Sequence, residues 1–314
     1  RRVLFRSVLE FLERSPLRVE PKCAVFGQGP GKCGGCQWQH ISYELQWKTK
    51  VKGALHALER VGFSDPGSLK RQEFPASDPW GYRNRIQLRG GAHGVGFYAK
   101  GSHDIVAIDR CEIAREELNG AIPELKKHAR SLPAPSKIEI EVSPQGQVRE
   151  AWNSRHAALG FRQVNDGQNT ALKGWIAGEL KDSFNQGLEL FDLYGGAGNL
   201  SLDLAPYFSK VSCVDTHAGH GAESVPSHFR FYSKDVQKWV TQEQTRGDAL
   251  TSQPRGSVIL MDPPREGAGS ALGPIFKFAD QKNVKKWIAV GCDPDAWAKD
   301  VYRIVGGATD SGWR

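Results

Sequence analysis

Cys292 is the residue whose type and position best suit covalent chemistry in this sequence. It follows the apolar run at residues 287–290 and precedes Asp293, where a helix can begin. The amino terminus of a helix favours the thiolate, which is the nucleophilic form of cysteine. A single cysteine is more often an inert buried residue, and Cys213 fits that role because its neighbours are apolar. The residues alone therefore leave a reactive and an inert role open for Cys292.

A glycine-rich turn is the second candidate element. Residues 192–199 read DLYGGAGN, after an apolar run and before a helical stretch. Glycines allow a ligand to approach the backbone closely at the carboxyl end of a sheet. Asp215 ends the next apolar run, which suits it to accept hydrogen bonds from ribose hydroxyls. Such a turn also occurs in NAD sites and in purely structural connections, but the loose Gly196-x-Gly198 pattern before Asn199 favours S-adenosylmethionine.

Asp262 lies in a third candidate element, the segment MDPPR at residues 261–265. Two consecutive prolines form a stiff, extended turn after a strand. We expect this turn to hold Asp262 at the sheet edge, facing a ligand. The same pattern also fits a purely structural end to the strand.

Four further cysteines suggest a metal site. Cys23, Cys33 and Cys36 form the spacing C-x9-C-x2-C, and Cys111 lies far downstream. A disulfide framework is not expected in a chain of this size without a secretion signal. By spacing alone, an iron–sulfur cluster and a zinc ion, with His40 as a further ligand, are equally compatible.

The composition is that of a globular protein with excess positive charge. The chain has 314 residues, of which 39% are hydrophobic and 25% charged, and its net charge is +7. A basic surface suits a polyanion such as RNA, although charge alone does not separate RNA-binding proteins from other basic proteins. No apolar run is long enough to span a bilayer, so we expect a cytoplasmic protein without membrane association.

The elements that position these residues change character near residue 161. Before it, a helix is predicted after Ser42, with Gly62 ending it, and a β pattern extends from Tyr82 to Asp109. A second helix is predicted near residues 114–131, and a hairpin near residues 136–152. After residue 161, apolar runs at 188–193, 211–215, 257–261 and 287–290 alternate with helical stretches. This alternation predicts a parallel sheet with helices on both faces, whose edge gathers the candidate residues.

Taken together, these segments resemble the RumA/RlmD-type rRNA uracil-5-methyltransferases over residues 18–314. The resemblance implies an α/β fold: a Rossmann-like S-adenosylmethionine-dependent methyltransferase domain plus a smaller β-rich central domain carrying an iron–sulfur cluster. Each matching segment is modest alone, but their order is specific. The segments are CGGCQWQH at 33–40, YRNR at 82–85, FRQVN at 161–165, DLYGGAGN at 192–199, DPPR at 262–265 and CDP at 292–294.

The resemblance also implies the site residues. The nucleophile is Cys292, and Asp262 orients the uracil or the cofactor. A [4Fe-4S] cluster is expected on Cys23, Cys33, Cys36 and Cys111. Contacts to S-adenosylmethionine are expected from Gln163, Tyr194, Asn199, Asp215 and Asp262, with Asp235 as a weaker candidate.

The implied reaction methylates C5 of a uridine in RNA, with 23S rRNA as the expected substrate. The thiolate of Cys292 adds to C6, C5 attacks the methyl group, and a base then removes the C5 proton. The target base must leave its stack to reach the site. Three alternatives stay open: a tRNA uracil-5-methyltransferase, a cytosine-C5 RNA methyltransferase and a non-catalytic RNA-binding fragment. The four-cysteine set argues against the cytosine enzyme.

The resemblance divides the chain into four parts. They are an N-terminal segment with the cluster cysteines (1–40), a helix that packs on the catalytic domain (41–70), a central β-rich domain (71–160) and the methyltransferase domain (161–314). We expect a monomer. We also expect a fragment, with foreign sequence at residues 1–7 and with the proton-abstracting glutamate and the last two sheet strands beyond Arg314.

The sequence departs from the family pattern at several positions. The spacing from Cys23 to Cys33 is longer than usual, and Gly195 stands where the family often has cysteine. Gly291 and Asp293 replace the usual serine and asparagine beside the nucleophile. Residues 217–228 also lack the pattern of the helix that is expected after Asp215.

Overall fold

A computed structural model describes residues 13–27, 29–91, 94–131, 134–154, 162–219, 225–247 and 255–311 of the chain. Some residues of the sequence predictions lie outside these ranges, namely residues 1–7, 92–93 and 220–224, Phe161 and Arg314. The chain forms two compact units. The first comprises Arg1–Lys50 and Ser77–His156, and the second comprises Val51–Ala76 and Ala157–Arg314.

The helix predicted after Ser42 is α1 (Tyr43–Val61), and the division between the units falls within it. The hydroxyl of Ser42 accepts a hydrogen bond from the backbone N–H of Leu45 at 3.3 Å, as expected of a residue that caps a helix. Gly62 ends the helix at φ 115°, a conformation that favours glycine. Both predicted ends are confirmed.

The first unit is built on an antiparallel sheet that α2 (Glu116–Ala129) covers on one face. The order of the strands is β3-β2-β1-β4-β5. Ile86 and Leu88 point toward the core while their neighbours are half-buried, which is the two-residue period of a strand. The predicted second helix and hairpin are confirmed. The strands are β1 (Arg85–Gly91), β2 (Gly94–Tyr98), β3 (Ile105–Ala107), β4 (Ser136–Val142) and β5 (Val148–Trp152).

The second unit contains a five-stranded sheet in which every neighbouring pair is parallel. The order of its strands is β10-β9-β6-β7-β8, which confirms the predicted α/β fold of Rossmann-like type. The strands are β6 (Glu189–Leu193), β7 (Lys210–Asp215), β8 (Phe229–Ser233), β9 (Ser257–Met261) and β10 (Val284–Ala289), and the helices are α3 (Asp166–Leu180), α4 (Val236–Gly247), α5 (Leu272–Gln281) and α6 (Pro294–Ser311).

Both faces of this sheet are buried. Ile259 and Met261 of β9 pack in one core cluster with α4 and α5, and Val258 and Leu260 pack in a second cluster with α3. A strand that is buried on both faces reads as a continuous apolar run, which is why the sequence reveals β9 so clearly. β10 begins at Val284, three residues before the predicted start of this strand.

The order of the strands reverses between β6 and β9. The chain builds β6, β7 and β8 in one direction and β9 and β10 in the other. In open α/β sheets, ligands bind in the crevice outside the carboxyl ends of the strands at this point. Among the described residues, no helix is both long and apolar enough to cross a membrane.

Candidate functional site

Five candidate residues follow or end the five parallel strands. From one edge of the sheet to the other they are Cys292 after β10, Asp262 after β9, Tyr194 after β6, Asp215 at the end of β7 and Asp235 after β8. Neighbouring strands lie about 4.8 Å apart, so this row is about 19 Å long. Tyr194 and Asp262 flank the crevice at which the strand order reverses.

The glycine-rich turn begins at Tyr194, whose φ is 64°. The backbone N–H groups of Tyr194 and Gly195 both donate to the carbonyl of Val214, at 2.8 and 3.2 Å. Gly196 and Gly198 also have positive φ values, of 54° and 78°, which glycine adopts without strain. After Tyr194, the turn therefore presents backbone atoms rather than side chains at the carboxyl end of β6.

Gly195 has no room for a side chain. A Cβ atom there would lie 2.4 Å from Oδ2 of Asp192 and 2.6 Å from Sγ of Cys213. This geometry accounts for one departure from the family pattern, because the carboxylate of Asp192 and the sulfur of Cys213 on β7 occupy the space that a side chain at position 195 would need.

Asp192 is a fully buried residue next to this turn. Its Oδ2 accepts hydrogen bonds from the hydroxyl of Ser201 at 2.5 Å and from the thiol of Cys213 at 3.7 Å. Its Oδ1 has no hydrogen-bond partner among the described residues. Burial raises the pKa of Asp192 to about 7, and the charges of Asp262 and Asp215 add to this rise.

Asn199 is held by a residue that the sequence analysis missed. The side-chain amides of Asn199 and Asn169 donate to each other, with both N···O distances at 2.9 Å. Asn169 lies in the first turns of α3, which Asn165 caps by accepting the N–H of Gln168 at 3.0 Å. The half-buried Gln163 precedes this cap by two residues. The amide pair thus joins the glycine-rich turn to the segment that carries Gln163.

The two acidic residues after β7 and β8 are fixed by local hydrogen bonds. Oδ1 of Asp215 accepts the backbone N–H of His217 at 2.8 Å. Oδ1 of Asp235 accepts the backbone N–H of Lys238 at 2.9 Å, which caps α4.

Burial, together with the charges of Asp235 and Asp300, raises the pKa of Tyr194 to about 12. Its phenol is therefore a neutral hydrogen-bonding group at any physiological pH.

Asp262 extends β9 by one hydrogen bond, because its N–H donates to the carbonyl of Leu193 at 3.2 Å. Partial burial raises the pKa of its carboxyl group. The prolines that follow lead into a turn that the N–H of Gly267 closes onto the carbonyl of Pro264 at 2.8 Å. The pairing of β6 with β9 thus fixes the chain before Asp262, and the closed turn fixes the chain after it.

Cys292 is exposed, whereas Cys213 is buried. Asp293 caps α6 by accepting the backbone N–H groups of Asp295 and Ala296, both at 3.1 Å. An aspartate here does the same capping work as the asparagine that the family usually has. A Cβ on Gly291 would lie 2.7 Å from Cβ of Trp297, so this position has no room for serine. Both departures beside Cys292 have a structural reason.

The first unit brings the four other cysteines together, which their spacing alone does not reveal. Cys23, Cys33, Cys36 and Cys111 line one pocket, whose other lining is largely apolar. Burial raises the pKa of Cys33 and of Cys111, and neighbouring thiols add to both shifts. Within the described residues, no group of three or more His, Cys, Asp or Glu side chains is arranged to hold a metal ion.

The chain is similar to RNA methyltransferases along most of its length. It is 30% identical to an uncharacterized RNA methyltransferase of Bdellovibrio bacteriovorus, with 94% of this chain and 72% of that protein covered. It is 28% identical to the 23S rRNA (uracil(1939)-C(5))-methyltransferase RlmD of Dichelobacter nodosus, with 93% of this chain and 79% of that protein covered. No protein-family model matches the chain.

A solved structure shares the fold. The tRNA (uracil-54, C5)-methyltransferase of Pyrococcus abyssi, in complex with S-adenosyl-L-homocysteine, superposes with a TM-score of 0.61. The alignment covers 93% of this chain and 80% of that protein, at 19% sequence identity.

Proposed function

Because this chain belongs to the RNA methyltransferase family, we propose that it transfers a methyl group from S-adenosylmethionine to C5 of a uridine in RNA. The observation that carries the proposal is the place of Cys292. It is an exposed thiol after β10, one strand from Asp262 and two strands from Tyr194 at the crevice. A nucleophile beside a cofactor site is what C5 methylation needs, since C5 of uracil is itself a poor nucleophile.

The residues around the crevice fit S-adenosylmethionine, which supplies an electrophilic methyl group on its sulfonium. The backbone of the turn after Tyr194 allows close approach, and Asp215 offers carboxylate oxygens to ribose hydroxyls. Gln163 and Asn199 lie in segments that the amide pair with Asn169 joins. Asp235 remains the weaker candidate, at the far end of the row, and Asp262 borders the methyl-transfer region.

The chain's own residues supply the covalent chemistry. The thiolate of Cys292 forms a bond to C6, and the electron pair of the C5–C6 double bond moves toward C5 and the O4 carbonyl. C5 then attacks the methyl carbon of S-adenosylmethionine, the S–CH3 bond breaks, and S-adenosylhomocysteine is the leaving group. A base removes the C5 proton, the C5–C6 double bond reforms and Cys292 leaves as thiolate. α6 begins two residues after Cys292, and a helix amino terminus favours negative charge nearby.

Asp262 is the proposed orienting group. Its carboxyl group stands at the end of β9, next to the strand that leads to Cys292. A carboxylate there can accept a hydrogen bond from the uracil ring or from the cofactor. The raised pKa of Asp262 reflects partial burial, and a hydrogen-bond donor on the bound ligand would offset that cost.

We also propose that the four cysteines of the first unit bind a [4Fe-4S] cluster. Four thiols around one mostly apolar pocket are the donor set that such a cluster uses. A bound cluster would tie the N-terminal segment to the segment that carries Cys111. Zinc is the alternative, since four thiolates also suit it.

We propose 23S rRNA as the substrate. RlmD, a relative at 28% identity, is by name a 23S rRNA enzyme. The fold neighbour acts by name on tRNA, which makes tRNA the second candidate.

Methyl transfer to defined RNAs tests this proposal. Unmodified 23S rRNA and unmodified tRNA are each incubated with the protein and S-adenosylmethionine that is labelled on its methyl group, and the RNA is then digested to nucleosides. We expect label on 23S rRNA, as 5-methyluridine or in an adduct with Cys292, and none with Cys292→Ala. Labelled 5-methylcytidine, or no label on either RNA, would overturn the proposal, and label on tRNA alone would reassign the substrate.

A further inference from the structure

Asp300 is a buried acid that the proposed reaction does not use. It lies on α6, two turns after Cys292, and only 3% of its surface is exposed. A buried carboxylate is costly unless it is hydrogen-bonded, so its partners show what it does. Its Oδ2 accepts the backbone N–H of Ala268 at 2.6 Å.

The backbone of Gly267, the residue before Ala268, packs closely against the same carboxylate. Gly267 has a φ of 80°, and a Cβ on it would lie 2.6 Å from Oδ2 of Asp300 and 3.1 Å from its Cγ. One turn further along α6, Nη1 of Arg303 donates to the carbonyl of Gly269 at 3.1 Å. Two side chains of α6 therefore hold the three residues 267–269.

Those three residues end the turn that begins with Asp262. The N–H of Gly267 closes that turn onto Pro264 at 2.8 Å, and Ala268 is buried in the core cluster with Met261. At its other end, α6 begins after Cys292, and the indole of Trp297 donates to the carbonyl of Ala289 at 3.1 Å. Cys292 thus lies two residues before α6, and side chains in the middle of the same helix hold the turn that begins with Asp262.

We propose that Asp300 is a positioning residue for methyl transfer, which fixes the Asp262 turn relative to Cys292. This inference rests on the proposed function. A uracil ring must meet the thiol at C6 and the methyl group at C5 at once, so the groups that hold it must keep their spacing. A displacement of about 1 Å in such a site costs about 100-fold in rate.

The position of Asp300 also explains why it acts on rate more than on cofactor affinity. Tyr194 and Asn199 follow β6 and Asp215 ends β7, and the hydrogen bonds described above for these three residues do not involve residues 267–269. Loss of the Asp300 bond leaves those hydrogen bonds in place, although the charge of Asp300 also acts on Tyr194, whose pKa it helps to raise. Its effect falls on the spacing between Asp262 and Cys292.

The test compares Asp300→Ala, Asp300→Asn and Gly267→Ala by kcat, by affinity for S-adenosylhomocysteine and by melting temperature. In Asp300→Ala we expect kcat for 5-methyluridine formation to fall about 100-fold, with a much smaller change in affinity. Asp300→Asn keeps an oxygen for the N–H of Ala268 and should recover most of kcat. Gly267→Ala retains Asp300 but displaces the turn, so it should reproduce the loss.

Two controls separate positioning from stability. Lys299→Ala changes the exposed neighbour of Asp300, and Leu180→Ala removes a fully buried side chain from the other core cluster. Kinetics are measured well below the melting temperature of every variant, where both controls should keep the wild-type kcat.

A wild-type kcat in folded Asp300→Ala would overturn the inference. So would a folded Gly267→Ala with full activity, or an Asp300→Asn that is as impaired as Asp300→Ala. If Asp300→Ala does not fold, Gly267→Ala and Asp300→Asn decide the matter. If the wild-type protein transfers no methyl group to uridine, the proposed function fails and this inference falls with it. If the wild type is active and the variants match it, only the inference fails.

Discussion

Asn169 and Asn199 form a reciprocal amide pair, in which each side chain donates to the other at 2.9 Å. The pair satisfies one donor and one acceptor of Asn199, and so fixes which side of that amide is left for a ligand. Asn199 is a proposed cofactor contact, whereas Asn169 acts through it. The pair therefore links α3 to the cofactor crevice.

The first prediction is that Asn169→Ala weakens binding of S-adenosylmethionine although Asn169 need not touch it. Loss of the pair frees the Asn199 amide to rotate, which should cost about 1 kcal/mol, or about a fivefold rise in Kd. Calorimetry on Asn169→Ala, Asn199→Ala and the double variant measures the coupling between them. Thr170→Ala, at the exposed neighbouring position, is the control. Strictly additive losses in the double variant would show that the pair does not act as a unit.

The second prediction concerns Cys292. RNA that carries 5-fluorouridine should trap the protein covalently, because fluorine at C5 cannot be removed as a proton and the bond from Cys292 to C6 persists. We expect an RNA–protein band on a denaturing gel for the wild type and none for Cys292→Ala, which should still bind the cofactor. In the native protein, iodoacetamide should modify the exposed Cys292 and spare the buried Cys213. Turnover by Cys292→Ala would exclude this residue as the nucleophile.

The third prediction is a pH dependence of stability from Asp192. Its pKa rises from the ordinary 3.8 to about 7 in the fold, so the folded state binds the proton more tightly than the unfolded chain. The free energy of unfolding should therefore decline as pH rises from about 4 to about 7, by at most about 4 kcal/mol from this group, and then level off. Asp192→Asn should remove this decline. Urea unfolding at several pH values measures it, and parallel curves for the two proteins would contradict it.

The fourth prediction concerns the metal. Protein purified without oxygen should be brown and contain about four irons per chain, as a cluster held by four thiolates requires. Cys111→Ser should lose iron because Cys111 lines the four-cysteine pocket, whereas Cys213→Ser, in the second unit, should retain it. A colourless protein with one bound zinc would assign the pocket to zinc instead.

The sequence reveals the central strands better than the edge strands. β9 and β6 are buried on both faces and read as apolar runs. β8, the outermost described strand on one side, has one buried residue and two exposed ones, and it is absent from the predicted runs. β10, the outermost described strand on the other side, begins with Val284, Lys285 and Lys286, and the two lysines interrupt the apolar pattern at its start. Polar side chains in these two strands weaken the apolar pattern from which a strand is predicted.

The residues of the site also differ in whether the sequence predicts them. Asp215 and Asp262 are predictable, because each stands where an apolar run ends and parallel strands share one carboxyl edge. Asn169 and Asp300 are not, since a polar residue within a helix usually marks the solvent face. Only the partner on another element, the Asn199 amide or the Ala268 N–H, shows that these two face inward.

The shared space of Gly195 and Cys213 bears on how these sequences diverge. A Cβ at position 195 would lie 2.6 Å from the sulfur at position 213 and 2.4 Å from Oδ2 of Asp192, so a side chain at 195 requires that this sulfur is absent and that the Asp192 carboxylate moves. A relative with cysteine at the position of Gly195 should carry glycine or another very small residue at the position of Cys213. A side chain gained at 195 while the sulfur at 213 is present would clash with it, whereas loss of the sulfur first creates no clash between the two positions. The residue at 213 on β7 should therefore change before the residue at 195 in the turn after β6, and the two positions should covary.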